Sequence, residues 1–175
     1  MDFGFDLRRI VTGHDASGQS VVTIDGPPGR ETGNLREIWN AVGSVVGSRD
    51  HIDRGAEKVN LSPVANGSNF RWFIVPPADD SISDDELEKL VAERFAAMGA
   101  AHERPDTSRH PSMHTTKTID YIILLSGKVT LLLDEDERDL KPFDVVVQRG
   151  TNHAWINKGK EPALLCGILI DAEFR

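Results

Sequence analysis

The sequence predicts an all-β fold, a sandwich or barrel of two antiparallel sheets, with one flanking helix near residues 84–98. Three observations predict it. Short apolar segments recur along the chain, each bounded by Gly, Pro or charge. Two of them are separated by Ser126-Gly127, a tight hairpin signal. Only one segment carries apolar residues at helical spacing, so helices are not the framework. The 175 residues suit a single domain over 1–175. Within it, 1–75 reads as N-terminal strands and loops and 76–107 as a helical insertion.

The elements follow in order. Residues 7–12 and 20–24 are strands, joined through His14-Asp15-Ala16-Ser17-Gly18, whose turn chemistry makes a hairpin. Residues 25–34 are rich in Gly and Pro and form a loop. A strand candidate lies within 35–46, centred on 35–40. The stretch 47–69 is polar and irregular. The strand at 70–75 is stopped by Pro76-Pro77. Ser83 followed by Glu86 is a capping box. Leu87, Leu90, Val91 and Phe95 repeat behind it at helical spacing, and Gly99 supplies the stop. From residue 114 onward the segments 119–125, 128–133, 144–147 and 163–170 read as strands.

Composition narrows function. Net charge is −8, and no Lys/Arg cluster offers the basic face that a nucleic acid needs. No apolar run approaches the roughly 20 residues of a membrane span, and the N-terminus lacks the pattern of a secretory signal. A cytoplasmic protein without membrane or nucleic-acid partners is the expectation. The single cysteine, Cys166, lies in an apolar strand and reads as a buried structural thiol.

The candidate site comes from parity. Side chains alternate along a strand with period two. Counting back from Leu124, the residues Ile122, Asp120, Thr118, Thr116 and His114 share one face. A carboxylate facing a β core is costly unless it is paired, hydrogen-bonded or metal-bound. The same count puts His153, Trp155 and Asn157 on one face. Two histidines and a carboxylate aimed into one cavity form a set that suits Fe, Mn, Ni or Zn, with positions left open for substrate. A metal-free pocket in which these side chains hydrogen-bond one another is the alternative.

These residues also carry a resemblance. Cupins have a first motif of Gly, five residues, His-x-His, three or four residues, Glu, six residues, Gly. Their second motif is Gly-Asp, four residues, Pro-x-Gly, two residues, His, three residues, Asn. Here His114 falls on the first His position, Thr116 replaces the second His, and Asp120 replaces the Glu with six residues before Gly127. In the second motif Asp144, Gly150, His153 and Asn157 match, whereas Phe143 and Gln148 stand in place of a Gly and the Pro. Over about residues 108–171 the chain resembles a small single-domain cupin, which implies a jelly-roll barrel.

The resemblance also implies a small organic molecule handled inside the barrel, and a homodimer. The expected roles are His114, Asp120 and His153 as ligands of a divalent metal, with His110 as a replacement ligand. Asp120 and His153 would be catalytic, and Trp155, Thr116, Thr118, Ile122 and Arg71 would contact substrate. Oxygenase, isomerase and decarboxylase chemistry all suit such a site, and a non-catalytic ligand-binding cupin is the other reading. Arg71 reads as a partner for an acidic ligand or as a surface arginine. Asn157 is expected to fix a turn, and the N-terminal strands to cover or exchange a sheet edge.

Overall fold

A computed structural model describes residues 3–43, 47–79 and 81–174. Met1 and Asp2, on which the reading of the N-terminus partly rests, and the end of the 35–46 segment lie outside them. The described strands are β1 (Arg9–His14), β2 (Ser20–Gly26), β3 (Arg30–Thr32), β4 (Leu35–Ala41), β5 (Ser68–Val75), β6 (Thr118–Ser126), β7 (Val129–Leu133), β8 (Glu137–Leu140), β9 (Val145–Arg149), β10 (His153–Ile156) and β11 (Ala163–Asp171). The one α-helix among the described residues, α1, spans Asp84–Ala97.

Every strand pairing is antiparallel. A six-stranded sheet runs β3-β4-β5-β11-β6-β9, a three-stranded sheet runs β10-β7-β8, and β1-β2 form a separate hairpin. The two larger sheets enclose a core. Ile122, Leu124, Ala163 and Leu165 of the six-stranded sheet pack with Val129 of β7, and Leu140 and Trp155 join from β8 and β10. This is the jelly-roll arrangement. Because β5 lies between β4 and β11, the N-terminal segment is part of the main sheet rather than an appendage.

Alternation explains β6. Thr118, Asp120, Ile122 and Leu124 are buried while Tyr121 is exposed. Ser126-Gly127 makes the predicted turn, with Gly127 at a φ of 85° and Ala163 so close that any Cβ there would collide. The capping reading of α1 also holds, since the Ser83 side chain accepts from the Glu86 amide. The helix buries Val91 and Phe95, but Leu90 turns to solvent.

Several expectations are corrected. The loop 25–34 contains β3, a short solvent-exposed edge strand. Residues Glu137–Leu140 form β8, which the alternation rule missed because three of its four side chains are polar and exposed. Cys166 is half-buried on the outer side of the large sheet, and burial raises its thiol pKa. The β1-β2 hairpin forms no strand pairing with the large sheet of its own chain. It is held instead by Arg9, which donates to the Ile38 and Pro27 carbonyls and pairs with Asp53.

Candidate functional site

The barrel encloses a cavity of about 210 Å³ lined by residues from both sheets and from α1. Its walls are mainly apolar. Ile122 and Leu169 come from the large sheet, Phe73 from β5, Trp155 from β10, and Phe95 and Met98 from the helix end. The helix therefore closes one side of the cavity.

His114 and His153 stand together in this cavity by a route that parity did not foresee. Residue 114 precedes β6 and is not part of that strand. It joins the site through an isolated antiparallel bridge, in which the amide of each histidine donates to the carbonyl of the other at 2.9 and 3.0 Å. Gly150, at a φ of 62°, turns the chain from β9 back toward β10 so that His153 points inward. The ring centroids lie 4.2 Å apart. Phe95 edges onto His114 at 5.0 Å and Trp155 onto His153 at 5.6 Å, so the pair is clamped between aromatic walls.

The tautomers follow from hydrogen bonding. His114 Nδ1 lies 3.0 Å from the Ser112 carbonyl, and His153 Nδ1 lies 3.0 Å from that of Thr151. A carbonyl only accepts, so each Nδ1 carries the proton and each Nε2 keeps its lone pair. Burial lowers both imidazole pKa values, well below the usual value for His153, where the neighbouring His114 ring adds to the effect. Both rings are neutral near pH 7. Neither Nε2 has a hydrogen-bond partner among the described residues.

Asp120 faces the same cavity, 4% exposed, and its Oδ1 has no hydrogen-bond partner. Burial pushes its carboxyl pKa up to about 6, against the Thr118 hydroxyl and Arg71, which favour the charge; Glu103 raises it further. Thr116 and Thr118 share a hydroxyl hydrogen bond of 2.6 Å. Of the two, Thr116 lines the cavity, while Thr118 sits behind it, so Thr118 supports Asp120 rather than contacting a ligand.

Arg71 is not a surface arginine. Its side chain is 2% exposed and lies against the fully buried Glu37, Nε to Oε1 at 3.0 Å. Its Nη1 and Nη2 donate to the carbonyls of Leu61 and Asn60. Burial raises the Glu37 carboxyl pKa, opposed by Arg71. Sequence reasoning missed Glu37. The signal was Arg71 on the parity of Phe73 and Val75, which demands a buried counter-charge on the neighbouring strand.

His110 stands apart from this group. It does not line the cavity, and its Nδ1 accepts the Ser112 amide at 3.0 Å within the 110–113 turn. Asn157 does fix a turn, donating to the Val75 and Glu161 carbonyls and accepting from the Gly159 amide.

A divalent metal is what the barrel type implies, so the donors present decide whether one fits. Two imidazole nitrogens are correctly prepared, with Nδ1 anchored and Nε2 free. The third donor is not gathered with them, because no three His, Cys, Asp or Glu among the described residues group as metal ligands. The buried Arg71 beside Asp120 also opposes a cation there. The site as described is a pair of acceptor imidazoles opposite a raised-pKa carboxyl, not a finished metal cage.

An antiparallel jelly-roll barrel carrying motifs of this spacing defines a cupin. The family model for the cupin domain matches residues 102–170. The chain is 30% identical over 156 residues to the phomopsin biosynthesis cluster protein C' of Diaporthe leptostromiformis, covering 86% of this chain and 70% of that protein. It is 28% identical over 171 residues to the cupin-domain-containing oxidoreductase fogC of Aspergillus ruber, covering 93% and 71%. A Cupin 2 conserved barrel domain protein from Salinispora arenicola is similar in structure over 66% of this chain and 74% of its own, at 18% identity and a TM-score of 0.39. The chain belongs to the cupin family. No helix among the described residues is long and apolar enough to cross a membrane.

Proposed function

We propose that this chain is a small-molecule metabolic enzyme that moves a proton on an organic substrate held inside the barrel. The observation that carries the reading is Asp120, a buried carboxyl with a pKa of about 6 and an unpartnered oxygen facing an apolar cavity. A carboxyl tuned toward neutrality serves as both acid and base, and perturbed groups of this kind cluster at working sites. Asp120 would take a proton from the carbon beside a carbonyl and return it at another position, an isomerase-type role; in a decarboxylase-type role carbon dioxide leaves and Asp120 gives a proton to the carbon that held it. His153 and His114 would orient the substrate by accepting hydrogen bonds. Relatives named for biosynthesis clusters and as oxidoreductases support an enzyme of small-molecule metabolism.

Deuterium incorporation tests this. The protein, kept in EDTA and D₂O, is incubated with a panel of small cyclic ketones and hydroxyaryl ketones, and exchange is followed by mass spectrometry. The reading expects exchange that Asp120→Asn slows by about 100-fold or more. Exchange undiminished in the variant contradicts it, and exchange with no member of the panel favours the non-catalytic ligand-binding module.

The anchored Nδ1 atoms favour a second reading. In it Fe, Mn, Ni or Zn is held by His114 and His153, with Asp120 as a third donor, and would supply Lewis-acid or dioxygen chemistry. Metal analysis of freshly purified protein, with add-back of each ion, separates the two. Stoichiometric metal that the activity requires would put this reading first.

A further inference from the structure

The polar atoms left free in the cavity carry a statement about its ligand, one that rests on the proposed site. Three acceptors without partners line the cavity: His114 Nε2, His153 Nε2 and Asp120 Oδ1. Arg71 lines the cavity too, but its Nη1 and Nη2 each donate to a carbonyl, those of Leu61 and Asn60, and its charge is matched by Glu37. The hydroxyls of Thr116 and Thr118 share one hydrogen bond, and Thr118 also acts on Asp120, yet Asp120 Oδ1 keeps no donor. A buried acceptor without a donor is costly, so the cavity is complementary to a ligand that brings donors.

Charge limits the choice. An anion would lie against the Asp120 carboxylate. A cation would be stripped of water among Phe73, Phe95, Trp155, Ile122, Met98 and Leu169, close to the buried Arg71 charge. The body of the ligand must match those walls, three of which are aromatic. The size must match about 210 Å³, the space of about seven waters at about 30 Å³ each. We infer that the barrel binds an uncharged hydroxylated aromatic molecule of about one ring, with its hydroxyl groups donating to His114, His153 and Asp120 and its ring against Trp155 and Phe73.

Direct binding of matched probes tests this without knowledge of the natural substrate. The probes are 4-ethylresorcinol, its near-isostere 1-ethyl-2,4-difluorobenzene, which lacks the donors, and 4-methylbenzylamine, which is a cation. Binding to the full chain in EDTA at pH 7 is read by ligand-observed NMR and by titration calorimetry. The resorcinol is expected to bind at least about tenfold more tightly than the difluoro compound. Asp120→Asn and His153→Gln, each confirmed folded by circular dichroism, are each expected to reduce that ratio by threefold or more.

Equal or tighter binding of the difluoro compound overturns the donor requirement while leaving an apolar small-molecule site intact. Tighter binding of the amine overturns the neutral-ligand inference. A ratio unchanged in both variants overturns the assignment of the acceptors. Binding of no probe removes the ligand inference and, with it, the barrel cavity as the binding site.

Discussion

His114 and His153 exchange two backbone hydrogen bonds, at 2.9 and 3.0 Å, and set their rings 4.2 Å apart. The bridge ties the loop before β6 to β10, so the two imidazoles are fixed by backbone as well as by their Nδ1 contacts. His153→Ala should therefore keep the fold, since the bridge uses main-chain atoms. The variant loses the aromatic clamp with Trp155 and strands the Thr151 carbonyl. The expected cost is about 1–3 kcal/mol, read as a lower denaturation midpoint. Metal content measured on the same samples adds a second readout. Metal lost from the variant while present in the wild type would favour the second functional reading.

Asp120 makes stability depend on pH with a definite sign. Its folded pKa, about 6, lies above the ordinary value of 3.8. The folded state therefore holds a proton that the unfolded state releases over this window, and the contribution of Asp120 to stability falls as pH rises from about 4 to about 6. The full effect is on the order of 3 kcal/mol. Asp120→Asn should be more stable than wild type at pH 7, with the advantage shrinking toward pH 4. The two histidines act oppositely: their lowered values mean that stability is lost as pH falls below about 6.5. Urea denaturation of wild type and variant across pH 4–8 separates the two contributions, since only the Asp120 part disappears in the variant.

Phe143 is a strained position. It stands where the family motif has Gly, and it keeps the glycine-like backbone at a φ of 74° with its ring 79% exposed. The amide of Asp144 donates to the Lys141 carbonyl at 3.0 Å, closing a turn whose third residue is Phe143, with Pro142 before it. Positive φ at a bulky residue costs energy, and an exposed ring returns little. Phe143→Gly is expected to stabilise the protein by about 1 kcal/mol, seen as a raised melting temperature. A lowered one would show that the ring makes contacts worth more than the strain.

The outer face of the large sheet bears on assembly. Phe70, Ile168, Tyr121 and Val147 are register partners across four strands, and Trp72, Cys166, Ile123 and Val145 form the next row. Phe70, Tyr121, Val145 and Val147 are among the exposed large hydrophobics. Contiguous apolar surface of this kind marks an interaction site, and we expect a second copy of the chain to cover it. Light scattering should give twice the chain mass, and the double variant Tyr121→Glu, Val147→Glu should be monomeric. A monomeric wild type removes the dimer.

The barrel was legible because burial in β6 follows the alternation of its side chains, and Asp120 stood out as a carboxylate on the Ile122 and Leu124 face. His153 followed from the same rule and from the turn at Gly150. His114 arrived by other means, since its segment is irregular and only the backbone bridge to His153, a long-range contact, places it. Glu37 could not be read as the partner of Arg71 without knowing that β4 and β5 pair, with residue 37 opposite 71. The cavity wall supplied by Phe95 and Met98 depended on where the helix packs, which its own periodicity does not state.

The central claim is that Asp120 is a proton-transfer group tuned by its cavity. The most direct measurement is the titration of its carboxyl carbon by NMR in protein labelled with ¹³C at aspartate, assigned by comparison with Asp120→Asn and recorded in EDTA. The account predicts a midpoint near 6. A midpoint at or below the ordinary value of 3.8 would contradict it.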